Sequence, residues 1–355
     1  MNKTKRILSI LLILQIIAVQ ILKSNSQFIE SYYSNGIYPF ISSLFRYAFG
    51  RIPFSVGDLF YLLISVLIIR SVVVFIRNKK RNYTLFLLNT GAFLSVIYFL
   101  FYFLWGLNYF REPIEKTMQL TRNEYDQEAL EKLTDKLLFN LKNSHLRLVA
   151  NDTLKVSISG SKKELMDQTQ NGYLQLQKQF PQFGYKPVSL KRSMFSLPLT
   201  YMGFSGYLNP FSGEAHVDDL VPEVSLPMIS SHEVAHQLGI ASESEANFIG
   251  FLAAVHNDDP AFRYSALLMA YRYALYDLSK ADPSAAKIYY EKTPKGILKN
   301  INEINRFWQK YQNASEKYFK IFYDNYLKIN HQKHGIKSYS RMIGLLIAYD
   351  KKYPI

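Results

Sequence analysis

The 355-residue sequence contains no cysteine. Disulfide bonds and thiolate metal ligands are therefore both excluded. The sequence also lacks internal repeats, low-complexity tracts and any RNA- or DNA-binding motif. Its formal charge of +14 does not call for such a motif, because the lysines and arginines are scattered rather than gathered beside stacking aromatics. We therefore expect no nucleic-acid partner.

Three long apolar runs lie near the amino terminus. Basic residues precede the first run, residues 7–22, and no small-residue cleavage site follows it, which favours a retained anchor over a cleaved signal peptide. The second and third runs cover residues 59–76 and 85–104, and Trp105 and Tyr109 follow the third like the aromatic belt of a membrane interface. The sequence predicts three transmembrane helices over these runs and a lipid bilayer as a partner.

Positive charge predicts how these spans are oriented. The amino-terminal segment and the loop at residues 77–82 (RNKKRN) are the two strongly basic flanks. Two spans separate them, so they share one side, and the positive-inside rule places that side in the cytoplasm. Residues 23–58 and everything after the third span then lie outside. We expect a multi-pass protein of the cytoplasmic (inner) membrane, with an anchor at residues 1–110 and an extracytoplasmic domain at residues 111–355.

The polar remainder of the chain has the pattern of helices, a small sheet and further helices. Capping-box patterns beginning at Thr121 and at Ser161 open the first two helices. Alternating apolar and polar residues predict a strand at residues 154–159 and short strands within residues 181–227. From Ser230 the pattern is almost entirely helical. This order predicts a mainly helical α+β domain rather than alternating βαβ units.

The motif HEVAH at residues 232–236 carries the chemistry. His232 and His236 are four residues apart, so on a helix they share one face and can reach one ion. Glu233 projects beside the same site, where it can take a proton from a metal-bound water. The alternative is a surface helix with two chance histidines. The apolar residues 224–230 before the motif and the helix stop at Gly239 favour the metal site.

Two glutamates that follow the motif, Glu243 and Glu245, are candidates for a third metal ligand. Three protein ligands on a tetrahedral zinc ion leave the fourth position for water. Glu245 is the third residue after Ser242, where it also fits a structural capping box. Glu243 has a polar residue, Asn247, one helical turn later. We prefer Glu243 as the third ligand and keep Glu245 as the competitor.

HEVAH followed by Glu-x-x-Ala-Asn resembles the gluzincin branch of the zincin metallopeptidases. In that branch the third ligand lies on a second helix, and a polar residue one turn later supports a ligand histidine. The resemblance implies a zincin-like catalytic domain in which His232, His236 and Glu243 bind Zn²⁺. It also implies that Asn247 supports His232 through a hydrogen bond.

A second resemblance covers nearly the whole chain. The three spans, WGLNYF, HEVAHQLGIASESEANF and the closing GIKSYSRMIGLLIAY resemble a bacterial three-span membrane family, domain of unknown function 3810, which is grouped with zincin-like peptidases. This resemblance implies zinc and hydrolysis and names no substrate. It also makes Tyr339 and Arg341 candidates for stabilising an oxyanion.

The expected activity is zinc-dependent hydrolysis of a peptide or protein substrate. Zinc lowers the pKa of its bound water, Glu233 takes the proton, and the resulting hydroxide attacks a carbonyl polarised by the same ion. Residues 213–217 (GEAHV) are a candidate strand edge for holding an extended peptide. Of the other histidines, His145 is predicted to face solvent, and His216 to be structural or substrate-facing.

Two alternatives to hydrolysis are considered. The first is a metal-binding sensor or interaction module that keeps the zincin fold without activity, and the second is a structural membrane protein with a chance motif. Glu233 disfavours the sensor, since a non-catalytic descendant has no chemical need for that carboxylate.

Overall fold

Helices make up the whole amino-terminal part of the structure. The computed structural model describes residues 3–78, 82–121, 124–330 and 339–355. Its first elements are α1 (Lys3–Lys23), α2 (Ser26–Phe28), a π-helix (Ile29–Ile37), α3 (Tyr38–Phe49), α4 (Val56–Arg77), α5 (Tyr83–Leu104) and a 3₁₀ turn (Gly106–Phe110).

The helices α1, α4 and α5 have the length and composition of membrane spans. They are 21, 22 and 22 residues long, or about 32 Å at 1.5 Å per residue, which matches a hydrocarbon core of about 30 Å. Their apolar side chains are mostly exposed, as lipid-facing side chains are. The prediction of three apolar helices able to cross a membrane is therefore confirmed.

The first and third of these helices pack side by side and run in the same direction. The Ser9 hydroxyl donates to the carbonyl of Leu88 at 3.0 Å, and Lys5 Nζ donates to Asn89 Oδ1 at 2.6 Å. A side chain on Gly91 would come within 2.8 Å of the Ser9 hydroxyl. Small residues at this crossing thus let the two backbones approach closely.

The rest of the chain forms a mainly helical domain with a small sheet, as predicted. Its helices are α6 (Ile114–Thr117), α7 (Gln127–Leu146), α8 (Lys162–Gln179), α9 (Ser196–Met202), α10 (Leu226–Gln237), α11 (Glu243–Val255), α12 (Pro260–Ala281), α13 (Pro283–Lys292), α14 (Lys295–Tyr311), α15 (Glu316–Ile329) and α16 (Tyr339–Asp350), with 3₁₀ turns at Pro181–Phe183 and Glu223–Ser225.

Three short strands form one mixed sheet: β1 (Leu190–Arg192), β2 (Gly206–Leu208) and β3 (Ala215–Val217). The order is β1-β3-β2, with β1 parallel and β2 antiparallel to β3. A turn at Asn209–Gly213 joins β2 to β3, and the Asn209 side chain accepts hydrogen bonds from the backbone N–H groups of Phe211 and Ser212. The central strand is β3, and β2 is an edge strand.

The core of the domain centres on α10, α11 and α12. Every residue of α11 from Ser244 to Ala254 is buried, so this helix is surrounded on all sides. Gly250 of α11 lies against the backbone of His232, and a Cβ there would come within 2.9 Å of the His232 Cα. This close crossing brings the first turn of α11 to the end of α10, where the candidate metal ligands lie.

Two local predictions about the domain are wrong. Residues 154–159 form no strand, because the Asn300 side chain bonds both the N–H (2.9 Å) and the carbonyl (3.0 Å) of Val156, as a neighbouring strand would. The helix predicted to open at Thr121 is α7, which begins at Gln127 with Asp126 as its N-cap. The capping box at Ser161 is confirmed.

Candidate metal centre

The HEVAH motif lies in the last two turns of α10, a helix that buries ten of its twelve residues. Leu226, Val234 and Ala235 pack into the core, which turns the face with the histidines toward α11. The helix ends at Gly239, whose φ of +83° lets the chain turn back sharply. The Ile240 N–H then donates to the carbonyl of Ala235 at 3.1 Å, so the turn is hydrogen-bonded.

Three side chains converge just beyond this turn. The Nε2 atoms of His232 and His236 lie 3.0 Å apart. Glu243, the first residue of α11, places its oxygens 3.4 Å from His232 Nε2 and 3.7 Å from His236 Nε2. Four ligands at about 2.1 Å in a tetrahedral arrangement lie about 3.4 Å from one another. The two nitrogens and one carboxylate therefore have the spacing and the chemistry of a zinc site.

Hydrogen bonding orients His236 for this role. Its Nδ1 lies 2.7 Å from the carbonyl of Ile240, so Nδ1 donates to that oxygen and Nε2 faces His232 and Glu243. Burial favours the neutral ring, but the carboxylates of Glu243 and Glu233 outweigh it and raise the pKa of His236 to about 9. The surrounding carboxylates thus favour a positive charge at the Nε2 end of His236.

The two histidines in turn change the pKa of Glu243. Burial favours its neutral acid, but the two imidazoles hold the pKa of the Glu243 carboxyl well below its usual range. Glu243 is therefore an anion, the form in which a carboxylate binds metal.

Glu233 is buried directly beside these three residues. Burial raises the pKa of its carboxyl to about 7, although the nearby imidazoles partly oppose the increase. Within the described part of the chain, its Oε2 atom has no hydrogen-bond partner. The edge strand β2 crosses next to it, and a Cβ on Gly206 would come within 2.5 Å of Glu233 Oε1. A carboxylate with a pKa near neutrality and a free oxygen is suited to move a proton.

The end of α10 is held by residues from the amino-terminal third of the chain. Tyr38 and Ser42 of α3 both donate to the carbonyl of Gln237 at 2.8 Å. The indole N–H of Trp105 donates to the carbonyl of His236 at 3.0 Å. These bonds satisfy carbonyls that a helix end leaves unpaired. Trp105 is buried against the motif here. It therefore does not belong to the lipid-facing aromatic belt that the sequence predicts.

Tyr109, the other predicted belt residue, is also buried in this region and lies 5.9 Å, ring to ring, from Tyr326 of α15. The interface interpretation is therefore wrong for both aromatics. The boundary at residue 110 between anchor and domain stays a prediction. Hydrogen bonds join residues before this boundary to residues after it.

Sequence reasoning missed Tyr323 of α15. Its hydroxyl donates to Glu243 Oε1 at 2.6 Å, and its ring packs against Phe204. Burial and the nearby Glu243 carboxylate raise the pKa of Tyr323 well above its ordinary value, so it stays a neutral donor. Nothing in the spacing of the sequence connects a tyrosine to a glutamate 80 positions away.

Glu245 faces away from the two histidines. One oxygen lies 3.6 Å from Arg341 Nη2, and Ser242 makes no side-chain cap, so the predicted capping box is absent here. Arg341 also lies 3.3 Å from Glu115 Oε1. Arg341 is thus occupied in an ion-pair cluster and is not placed as an oxyanion donor. The side chain of Tyr339 lies outside the described residues.

Other predictions about the site are corrected as well. No described residue hydrogen-bonds to His232 Nδ1, so the expected support from Asn247 is not observed. Residues 213–217 do not form a sheet edge, because β3 is paired on both sides, and β2 is the edge beside Glu233. His145 is fully buried with its Nε2 2.8 Å from the carbonyl of Leu154 and does not face solvent.

A second buried polar cluster joins the sheet to the start of α4. Ser55, the N-cap of α4, lies 2.6 Å from His216 Nε2, and the Tyr207 ring stacks on the imidazole. Tyr207 also donates to Asp58 in the first turn of α4. Burial lowers the pKa of His216 to about 4, so its ring is neutral. The structural interpretation of His216 agrees with this placement.

Glu214 completes this cluster. It accepts hydrogen bonds from the N–H groups of Val56 (3.3 Å) and Gly57 (2.6 Å), and it pairs with the buried Lys191. A carboxylate from the sheet thus caps the positive end of an apolar helix.

Together the fold and the site define a mainly helical protein with three candidate membrane spans and, among its described residues, one His–His–Glu group able to hold a metal ion. The chain belongs to the family described as "Protein of unknown function (DUF3810)", whose model matches residues 33–347. No curated protein and no solved structure matches the chain. The family description names neither a metal nor a reaction, so the resemblance to zincins rests on the motif and on the geometry around it.

Proposed function

We propose that this protein is a membrane-anchored, zinc-dependent hydrolase of the zincin type and that its substrate is a peptide or protein. The observation that supports this most directly is the convergence of His232, His236 and Glu243 with the buried Glu233 beside them. A structural site needs four protein ligands, whereas three ligands and an adjacent acid are typical of a catalytic site. The described residues supply three.

His232, His236 and Glu243 would hold the ion. When bound, zinc supplies Lewis acidity to water and to a carbonyl group. Glu233 acts as the general base: its pKa near 7 lets it accept a proton from water and return it to the leaving amine at neutral pH. Tyr323 donates its one hydroxyl proton to Glu243 and so keeps this carboxylate oriented toward the two histidines.

The edge strand β2 is the surface best placed to hold the substrate backbone. It lies directly over Glu233 at Gly206, and its three residues are partly exposed. An extended peptide that pairs with this edge would place a backbone carbonyl near the base. The side chain of Tyr207 anchors the strand from behind through Asp58.

The location follows from charge. By the positive-inside rule, the basic flanks at the amino terminus and at residues 77–82 favour a topology in which the ends of α1, α4 and α5 that meet the domain lie outside the cytoplasm. We therefore place the hydrolase domain on the outer side of the cytoplasmic membrane.

The test is a comparison of Glu233→Gln with Glu223→Gln in the full chain, purified in detergent with zinc. Glu223 is exposed two turns before the motif, so its variant is the matched control. Both variants are expected to bind one zinc ion per chain, measured by elemental analysis. Cleavage of a proteome-derived peptide library, followed by mass spectrometry, is expected to fall about 10²- to 10⁴-fold in Glu233→Gln only.

Two outcomes would count against the proposal. If the zinc content of His236→Ala equals that of the wild type, the proposed metal site is wrong. A wild-type chain that binds zinc but gives no cleavage dependent on Glu233 would favour the sensor over the hydrolase.

A further inference from the structure

The segment between α1 and α4 forms one long helical stretch, which we call the bridging helix: α2, the π-helix and α3, residues 26–49. At 1.5 Å per residue it is about 36 Å long. It begins three residues after α1 ends at Lys23, and residues 50–55 connect it to the start of α4. Both of its ends are therefore tied to the ends of candidate membrane spans.

The exposed face of the bridging helix is rich in large apolar side chains and carries no charged one. Four of its polar residues, Glu30, Ser34, Ser42 and Arg46, are each at most 8% exposed, whereas the uncharged Gln27, Ser31 and Asn35 are exposed. Ile29, Tyr33, Tyr38 and Ile41 are buried, but six other large apolar residues are 44% to 71% exposed: Phe28, Tyr32, Ile37, Phe40, Leu44 and Tyr47. All residues of the helix are described, and its two charged side chains, Glu30 and Arg46, are both buried. A helix facing water carries charged side chains on its exposed face instead.

The buried polar face is used to hold the candidate metal centre. Glu30 forms an ion pair with Arg111 at 2.7 Å, and Arg111 donates to the carbonyl of Gly239 at 3.0 Å. Arg46 donates to the Ser42 hydroxyl at 2.7 Å, and Ser42 donates to the carbonyl of Gln237. Because these contacts fix the rotation of the helix about its axis, the apolar face is fixed on the opposite side.

We propose that the bridging helix lies in the head-group region of the bilayer, with the apolar face at Phe28, Tyr32, Ile37, Phe40, Leu44 and Tyr47 toward lipid. The lipid surface is the occupant that the connections favour, because α1 and α4 carry the same exposed apolar surface to both ends of this helix. Phenylalanine and tyrosine are the residues that such an interface accommodates. Since no basic side chain is exposed on this helix, the contact does not require anionic lipid.

The absence of cysteine makes the proposal directly testable, because each introduced cysteine is the only one in the chain. Phe40→Cys and Tyr47→Cys place a fluorophore on the bridging helix. Ile69→Cys, in the middle of α4 and 62% exposed, is the membrane reference. Phe139→Cys, on α7 and 65% exposed, is the matched reference in the polar domain. The four labelled full-length chains are placed in nanodiscs of phosphatidylcholine.

Labels at Phe40 and Tyr47 are expected to be quenched several-fold more by lipids brominated near the glycerol end than the label at Phe139. They are expected to be shielded from aqueous iodide, whereas the Phe139 label is not. The Ile69 label is expected to be quenched best by bromine deep in the acyl chains. Unchanged zinc content in each variant shows that the fold is kept.

Either of two results would overturn the proposal. Labels at both Phe40 and Tyr47 that respond to iodide like the Phe139 label would place the helix in water. Labels shielded from iodide but insensitive to brominated lipid would show that protein, such as a second copy of the chain, covers this face. Neither result would bear on hydrolysis, because the readout is independent of activity.

Discussion

Replacing Glu243 with glutamine is expected to weaken zinc binding by at least about 100-fold. The Glu243 oxygens lie 3.4 and 3.7 Å from the two histidine nitrogens, so the variant would replace the anionic ligand of the site with a neutral amide. Loss of a residue that only supports a metal ligand costs about 10- to 100-fold in affinity, and a direct ligand costs no less than the upper end of that range. A 100-fold change corresponds to about 3 kcal/mol.

The matched control is Glu245→Gln, two residues further along the same helix. Glu245 is also buried, and burial raises the pKa of its carboxyl to about 7, but its neighbour is Arg341 rather than a histidine. This variant removes a buried carboxylate from the same helical turn and is expected to leave zinc affinity within about twofold of the wild type.

The measurement is a competition titration of zinc between a chromophoric chelator and the metal-free full chain in detergent. Retained affinity in Glu243→Gln together with lost affinity in Glu245→Gln would make Glu245 the ligand and refute the geometry described for the site. Equal zinc affinity in both variants and the wild type would show that neither Glu243 nor Glu245 is a metal ligand.

Two further outcomes are expected. Tyr323→Phe removes the 2.6 Å hydrogen bond to Glu243 and should weaken zinc binding about 10- to 100-fold in the same titration. Tyr318 is exposed on the same helix, and Tyr318→Phe should leave zinc binding unchanged. Equal affinities in the two variants would show that the hydrogen bond does not support Glu243 as a ligand. The pKa of His216 is lowered by burial to about 4, against about 6.5 when unfolded, so the unfolded chain binds the extra proton between these values. The contribution of His216 to the free energy of unfolding should therefore be fully present above about pH 6.5 and be smaller by about 3 kcal/mol at pH 4. Urea unfolding at both pH values should show a smaller loss in His216→Gln, and an equal loss would contradict this account.

The grouping of the three candidate metal ligands could be predicted because their positions follow from local rules. His232 and His236 share a helix face by spacing alone, and Glu243 follows one tight turn later. The three apolar helices were predictable for the same reason, since each span is a continuous run in the sequence. Local regularity of this kind survives any tertiary arrangement.

The errors concern contacts between residues far apart in the sequence. Residues 213–217 have the alternation of an edge strand, but the register with Gly206–Leu208 decides which strand is central. Residues 154–159 also alternate, yet the Asn300 side chain takes the place of a neighbouring strand. Trp105 has the position of an interface aromatic, and its partner is a carbonyl 131 residues later. Sequence patterns report the polarity of a position, not its partner.

The hydrogen bonds that cross residue 110 make the apolar helices and the polar domain mutually dependent. Without Tyr38, Ser42 and Trp105, the helix that carries both histidines would end in unpaired carbonyls, and without Glu214 the first turn of α4 would lose its cap. A chain cut at this point would leave complementary halves, each with buried polar groups whose partners are on the other piece. The amino-terminal helices thus supply part of the scaffold on which the candidate metal centre is assembled.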